Sequence, residues 1–440
     1  MKSIRVPEGL KLRDYQVEGV KHLMSGQRKM LFDDVGLGKT AQSLVALNSL
    51  GAKTTLILCP PSTKYGWERE AQRWTDRDYK IHVMSKEVER IPTDVNICIV
   101  PYSLLSSPMI IDQLKDRRWS VTIIDEIHYV KNTSSNRSNK TISRSGVAPK
   151  SVYMWGLTAT PLVNGPIDMW PFFRSMGKEH LPTKCRDWMG YTRYFCARYK
   201  EAHSGRWNVK GASNLPVLNK ALYNTGFAMR RTKEQVLKEL PAKQYRVIPM
   251  RRKDKAISIN YDVELLKSKV RLGIMGEEIA QARRELGIEK LPSVLEYLDE
   301  VKEPCVVFGW HTEFLESVAK HTGGQLYYGS MTSAAKERAK QDFIDGKVQF
   351  LLANIVSAGT GLDGLQHRSS HCIFAELPWT YTEVDQASGR LHRMGQTNPV
   401  LADILCVEGG IEEYVLQTIL GKQESFKKVI DKTTELINIK

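Results

Sequence analysis

Three stretches carry residue types and spacings suited to phosphoryl-transfer chemistry. The first is DDVGLGKT (33–40), directly after the apolar run Met30-Leu31-Phe32. Gly36 and Gly38 would let backbone N–H groups approach phosphate oxygens just where TAQSLVALNSL opens as a helix, whose N-terminus favours negative charge. Lys39 would neutralise β- and γ-phosphates, and the Thr40 hydroxyl would hold Mg²⁺. Asp33 stands where the usual G-x-x-x-x-G-K-[ST] pattern has its first glycine, so on these residues alone an ordinary strand–helix turn remains open. The second stretch is VTIIDEIH (121–128), a buried strand ending in two acids. At the carboxyl edge of a parallel sheet, Asp125 would order the metal and Glu126 would polarise an attacking water. The third is DQASGRLHRMGQ (385–396). On a helix, Gln386, Arg390 and Arg393 fall at i, i+4 and i+7 on one face. Such arginines could act as fingers on a triphosphate held by another lobe, making hydrolysis depend on closure. The alternative is a charged, solvated helix face, for which Gly389 and Gly395 are poor choices.

These residues need a scaffold of parallel strands, and the chain supplies the pattern. Apolar, β-rich runs recur at 29–32, 54–59, 96–100, 121–125 and 151–157, and again at 304–309, 325–328, 349–353, 371–376 and 402–407, with longer amphipathic stretches between them. That alternation predicts two α/β lobes with parallel sheets. About 150 residues without the rhythm separate the two series. This middle is aromatic and basic and reads as helical, as in WPFFRSMG and RDWMGYTRYFCARYK. The polar run 131–146 reads as a mobile loop.

The 440 residues are enough for two or three domains, and no run of 18 apolar residues suggests a membrane span. The N-terminus lacks the apolar stretch of a secretory signal. Seven scattered cysteines without a C-x-x-C argue against a disulfide framework or a zinc site and fit a reducing compartment. Net charge is +15, and residues 161–255 alone carry 20 Lys and Arg against 7 Asp and Glu. A basic segment of this density points to a polyanion. Most of its rings, among them Trp170, Phe172, Phe173, Tyr191 and Phe195, read as a small packed core. Its cations, including Lys184, Arg186, Arg193, Arg198, Lys200, Arg206 and Lys210, cannot all be buried and read as sequence-independent phosphate contacts.

Taken in order, these blocks resemble the Swi/Snf family of superfamily 2 helicase-like ATPases over nearly the whole chain. LRDYQ (12–16) resembles the adenine-reading block, which implies base contacts from Arg13 and Gln16. DDVGLGKT resembles the family's D-x-G-x-G-K-T loop, where an acid near the start is usual. CPPS with Trp67, and VPYSLL (100–105), resemble blocks that line the DNA track. DEIH is similar to the family's DEAH-type box, with Ile127 for the commoner Ala. GLTATP (156–161) resembles the block that couples hydrolysis to DNA, a role that falls to Thr158 and Thr160. MRRTKEQVLKELPAK (229–243) resembles the connector, and VSAGTGLDGLQ (356–366) with DQASGRLHRMGQ completes the second lobe. Thr360 replaces a frequent glycine, and ELPWTYTE (376–383) lacks the common Asn-Pro. KLPSVLEYL (290–298) and YGSMTSAAKERAKQDF (328–343) resemble the annealing-helicase branch, which remodels replication forks.

The resemblance implies two RecA-like lobes with helical insertions between and within them. The first lobe spans 1–161, a basic aromatic insertion 162–228, a connector 229–254, a second insertion 255–290, the second lobe 291–410 and a helical C-terminal segment 411–440. It implies a monomeric, ATP- and Mg²⁺-dependent motor on double-stranded or forked DNA, with no membrane association and with targeting left to a partner protein. The expected setting is the cytoplasm of a bacterial or phage-infected cell, or the nucleus of a eukaryotic one. Two other activities stay open: a strand-separating helicase on DNA or RNA, and an ATP-dependent clamp that does not hydrolyse. A basic binding module without nucleotide chemistry requires the whole motif series to be coincidence.

Overall fold

The computed structural model describes residues 3–86, 90–132, 135–162, 165–178, 187–201, 205–250, 277–358, 362–407 and 412–417. Lys184, Arg186, Thr360, residues 255–276 of the second expected insertion and residues 418–440 of the C-terminal segment lie outside them. The chain divides into two compact units between Lys238 and Glu239.

The first unit is built on seven strands: β1 (Arg28–Leu31), β2 (Thr55–Cys59), β3 (Ile81–Val83), β4 (Ile97–Pro101), β5 (Val121–Asp125), β6 (Tyr153–Leu157) and, after a short ribbon of β7 (Tyr199–Lys200) and β8 (Trp207–Asn208), β9 (Ala228–Met229). The sheet order is β3-β4-β2-β5-β6-β1-β9, and every pairing is parallel. Strand β2 shows why the sequence folds this way. Leu56 and Leu58 pack into the core on one face, and Ile57 and Cys59 into the core on the other. A strand buried on both faces must be apolar throughout, and helices must cover both sides.

The second unit carries β10 (Lys243–Met250), β11 (Cys305–Gly309), β12 (Gln325–Tyr327), β13 (Phe350–Asn354), β14 (His371–Phe374) and β15 (Val400–Val407). Their order is β10-β15-β14-β11-β13-β12, again all parallel. The fold class is therefore α/β with two parallel sheets. All ten expected apolar runs form strands.

Three expectations differ from the structure. Residues 131–146 hold a helix, Asn136–Ile142, because the Ser135 hydroxyl accepts from the Ser138 N–H and starts it; the polar composition that suggested a loop supplied the cap. The stretch expected as a connector gives Met229, the last residue of β9, to the first sheet and all of β10 to the second. Residues 290 and 291, placed on either side of a boundary, lie within one helix, Glu277–Glu300. No helix among the described residues is long and apolar enough to cross a membrane.

Candidate functional site

Strands β5, β6 and β1 are neighbours in the first sheet. Their carboxyl ends consequently bring Asp125-Glu126, Thr158 and the 33–40 loop side by side, at the edge where parallel α/β sheets bind ligands. The loop turns through Gly36 at φ 85° and Gly38 at φ 77°, conformations that side chains disfavour. Gly38 is doubly constrained, since a Cβ there would sit 2.4 Å from Gln16 Nε2. Gln16 in turn donates to the Leu37 carbonyl at 3.3 Å and accepts from the Arg13 backbone N–H at 3.0 Å. The LRDYQ block is thereby tied to the loop.

Lys39 opens the helix Lys39–Leu50, and its ammonium donates to the carbonyls of Asp33 at 2.6 Å and Asp34 at 3.1 Å. Burial lowers its pKa from the ordinary lysine value, against the opposing pull of Glu126, Asp33, Asp34 and Asp125. Asp33 is fully buried. It accepts from Arg231 through both oxygens, at 3.0 Å from Nε and 2.5 Å from Nη2, and from Gln42 at 3.1 Å. Asp34 accepts from Arg230 Nη2 at 2.7 Å and from the Lys233 backbone N–H at 3.0 Å. The acid pair that starts the loop is clasped by an arginine pair from the far end of the unit. Asp33 thus fixes the loop through a bidentate ion pair, a role a glycine could not fill.

Glu126 follows β5 in the left-handed region, at φ 46°. For a residue with a side chain this conformation is strained and is found preferentially at functional sites. Its Oε2 accepts from the Thr158 hydroxyl at 3.0 Å and lies 3.2 Å from His128 Nδ1. His128 Nδ1 is also 2.9 Å from the Thr158 oxygen, which accepts from the Thr160 backbone N–H at 3.0 Å. Asp125 accepts from Trp67 Nε1 at 2.8 Å and from the Glu126 backbone N–H at 3.0 Å, and Tyr102 donates to its carbonyl. Adjacent buried carboxylates resist double ionisation. Burial and the Glu126 charge push Asp125 up, opposed by Trp67 and Lys39. Burial acts the same way on Glu126, but His128, Lys39 and Thr158 more than reverse it and hold Glu126 below the usual carboxylate range.

Of the threonines expected to couple hydrolysis to DNA, Thr158 bonds Glu126 directly, and Thr160 reaches it through its backbone N–H to the Thr158 hydroxyl. Trp67 and Tyr102 are buried and turned towards Asp125. The exposed members of their two blocks are Pro61, Ser62 and Tyr65 in one and Ser103 in the other.

The donor set fits a nucleotide with Mg²⁺. Thr40 and Asp125 offer hard oxygen ligands, and among the described residues no group of three or more His, Cys, Asp or Glu could cage a metal by itself. Mg²⁺ is commonly held in this way, by one or two protein oxygens together with substrate phosphates and water.

In the second unit the arginine stretch departs from the expected helix face. The helix Tyr381–Ser388 stops before Arg390, with Gly389 as its C-cap, and tight turns follow in which the N–H groups of Arg390 and Leu391 bond to the carbonyls of Ala387 and Ser388. Gln386 lies within the helix and is half-buried, while Arg390 and Arg393 lie beyond it. The two arginines still converge, because both donate to Asp363, at 3.3 Å and 2.5 Å. Burial alone would raise the Asp363 pKa, yet Arg393 and Arg390 hold it below the ordinary value. His392 Nε2 lies 2.8 Å from the Pro241 carbonyl, and the Lys243 ammonium donates to Asp385 at 2.8 Å, which fixes the stretch against β10.

Asp363, Arg230 and Arg231 were not singled out from the sequence as site residues. The only signal for the clasp is that the adjacent acids at 33–34 are answered by adjacent bases at 230–231, and many charged pairs could match in that way.

Comparison with known proteins agrees with this arrangement. The pattern described as the SNF2-related domain matches residues 15–306, and that of the helicase conserved C-terminal domain matches residues 287–395. The "DNA annealing helicase and endonuclease ZRANB3" of Bos taurus is 27% identical over 91% of this chain and 39% of its own length. The "SWI/SNF-related matrix-associated actin-dependent regulator of chromatin subfamily A-like protein 1" of Xenopus tropicalis is 28% identical over 94% of this chain and 44% of its own. The chain thus spans about two fifths of the length of these relatives. Among solved structures, the Sulfolobus solfataricus SWI2/SNF2 ATPase core in complex with dsDNA shares 20% identity over 98% of this chain and 96% of that one, with a TM-score of 0.47. The first pattern alone covers more than half of the 440 residues, and the two parallel-sheet units are the RecA-like lobes its members carry: the chain belongs to the SNF2-related family.

Proposed function

We propose that the chain is an ATPase driven by DNA, which moves along double-stranded DNA and uses that movement to remodel DNA or protein–DNA complexes, replication forks among them. The observation that carries this reading is the convergence of Lys39, Asp125, Glu126 and Thr158 on three adjacent strand ends. Strand annealing as one output is supported by relatives named as DNA annealing helicases.

In this reading Gly36, Gly38 and the helix start cradle the phosphates, Lys39 offsets their charge, and Arg13 and Gln16 contact the base. Glu126, kept ionised by Thr158 and His128, accepts a hydrogen bond from the attacking water and polarises it. Bound Mg²⁺, held through Thr40 and Asp125, would supply charge neutralisation at the phosphates. Arg390 and Arg393 are the cations for the transition state, with Gln386 beside them in sequence as a further nucleotide contact. Exposed cations such as Arg193 and Lys210 meet the phosphates of double-stranded DNA. The motor acts as a monomer, with a partner protein supplying its target.

The test is steady-state ATP turnover of the full chain, alone and with single-stranded, blunt duplex and forked DNA, beside Lys39→Ala. Stimulation by duplex that disappears in the variant is the expected result. Stimulation only by single strands or RNA would favour a strand-separating helicase. Turnover at the Lys39→Ala background on every nucleic acid would overturn the ATPase and leave a clamp.

A further inference from the structure

Between the helices Trp188–Phe195 and Leu215–Tyr223 the first unit carries the antiparallel ribbon of β7 and β8. Its register pairs Tyr199 with Asn208 and Lys200 with Trp207. Side chains alternate across strands and paired residues share a face. Lys200 and Trp207 are therefore on one face, and Tyr199 and Asn208 on the other. Arg198 joins the first face, with its guanidinium 4.2 Å from the centre of the Trp207 ring. Glu201 joins the second, accepting from Asn208 Nδ2 at 3.0 Å. The Trp207 face thus combines an indole with two cations, and among the described ribbon residues the carboxylate lies on the opposite face.

Trp170, Phe172, Phe173, Tyr191 and Phe195 are buried in the core, whereas Trp188, Tyr199 and Trp207 are 39%, 53% and 50% exposed. Of these three, Trp207 is the ring that shares its ribbon face with Lys200 and Arg198. Trp207 is also held in place, since Arg198 stacks on it and donates to Met189 Sδ at 2.8 Å. A fixed, solvent-facing aromatic plane in a cationic setting suits a ligand that offers both flat π faces and negative charge. Blunt duplex DNA offers phosphates but keeps its base faces stacked internally. Unpaired nucleotides offer both, and stacking of a base on an aromatic side chain is tolerant of sequence.

We propose that the Trp207 face of this ribbon binds single-stranded DNA, with an unpaired base stacked on Trp207 and flanking phosphates met by Lys200 and Arg198. This rests on the reading of the chain as a DNA motor and names the form of DNA that it distinguishes: unpaired bases at a junction or gap.

The test is binding of the full chain to a fluorescent single strand and to a blunt duplex of the same sequence, measured by anisotropy across a salt series. Wild type is compared with Trp207→Ala, Trp207→Phe and Lys200→Ala, with melting curves to show that each variant is folded. Trp207→Ala is expected to weaken single-strand binding about tenfold and to leave duplex binding within about twofold and the salt slope unchanged. Trp207→Phe should restore most of the loss. Lys200→Ala should reduce the single-strand salt slope by about 0.7. Equal losses on both DNAs, or no loss on either, would overturn the proposal; the second result would leave the face to a protein partner. If no DNA stimulates ATP turnover by the wild type, the motor reading fails, while the single-strand measurement still decides the ribbon.

Discussion

The two units hold their charged groups in opposite ways. At the sheet edge of the first, Asp33 is fully buried and takes two bonds from the Arg231 guanidinium and one from Gln42. In the second, Arg390 and Arg393, themselves only 14% and 22% exposed, both donate to Asp363, whose side chain is 61% exposed. Removing one member of a buried pair leaves an uncompensated charge and costs about 3–5 kcal/mol. A pair whose carboxylate side is open to solvent is screened there and is worth less, about 1 kcal/mol. The 33–40 loop is accordingly held by a buried ion pair, while the carboxylate shared by the two arginines is open to solvent. The proposed function predicts that the first arrangement stays fixed and the second can exchange its anion.

The sharpest way to break this contrast is to truncate one cation from each side and compare what is lost. Arg393→Ala should cost catalysis and little else. An arginine that stabilises the transition state of phosphoryl transfer contributes about 10³–10⁵ in kcat, and the loss of a pair whose carboxylate faces solvent should change the unfolding free energy by about 1 kcal/mol. Single-turnover ATP hydrolysis with saturating duplex, beside a urea melt, reads both quantities. A kcat within tenfold of wild type would remove Arg393 from the chemistry.

Arg231→Ala should do the reverse. With Asp33 left buried and unpaired, the urea midpoint should fall by the equivalent of about 3–5 kcal/mol, and turnover should follow the folded fraction. The double variant Asp33→Asn with Arg231→Met removes both charges and should be less destabilised than the sum of the single changes, since contacting residues are not additive. Additive losses would mean that the clasp carries no coupling, and the fixed half of the contrast would fail.

How much of this was legible in the sequence follows the same division. The strands of both lobes were readable because strands buried on both faces must be continuous apolar runs, as TTLILC and PCVVFG are. The loop and the acid pair were readable because a tight phosphate turn demands glycines, and the sheet edge places the residue after the strand. Their supports were not. Trp67, inside the helix Lys64–Trp74, and Tyr102, just after β4, act on Asp125 from two other parts of the sheet's periphery, and the Arg231 clasp joins residues 198 positions apart. Such contacts depend on strand order, which local pattern does not encode. The helix through Arg390 and Arg393 was expected from i, i+4, i+7 spacing, but Gly389 ends it one residue short of Arg390. The convergence survives only because Asp363, on a separate loop, draws both guanidiniums.

That carboxylate gives the smallest effect and the finest discrimination. Asp363→Ala should lower the unfolding free energy by about 1 kcal/mol, since the carboxylate is 61% exposed while the two arginines that lose it are mostly buried. Its consequence for turnover depends on what the pair does. If Asp363 holds the arginines in reserve, its removal lowers the cost of their transfer to the nucleotide, and kcat/KM for ATP should rise by up to about fivefold, the equivalent of about 1 kcal/mol. The gain should shrink as salt rises, because an exposed pair is screened. If Asp363 instead orients the arginines for the reaction, the same variant should lose activity towards the level of Arg393→Ala. A fall beyond tenfold would therefore convert the second unit from a releasable arrangement into a fixed one, and the contrast with the phosphate loop would disappear.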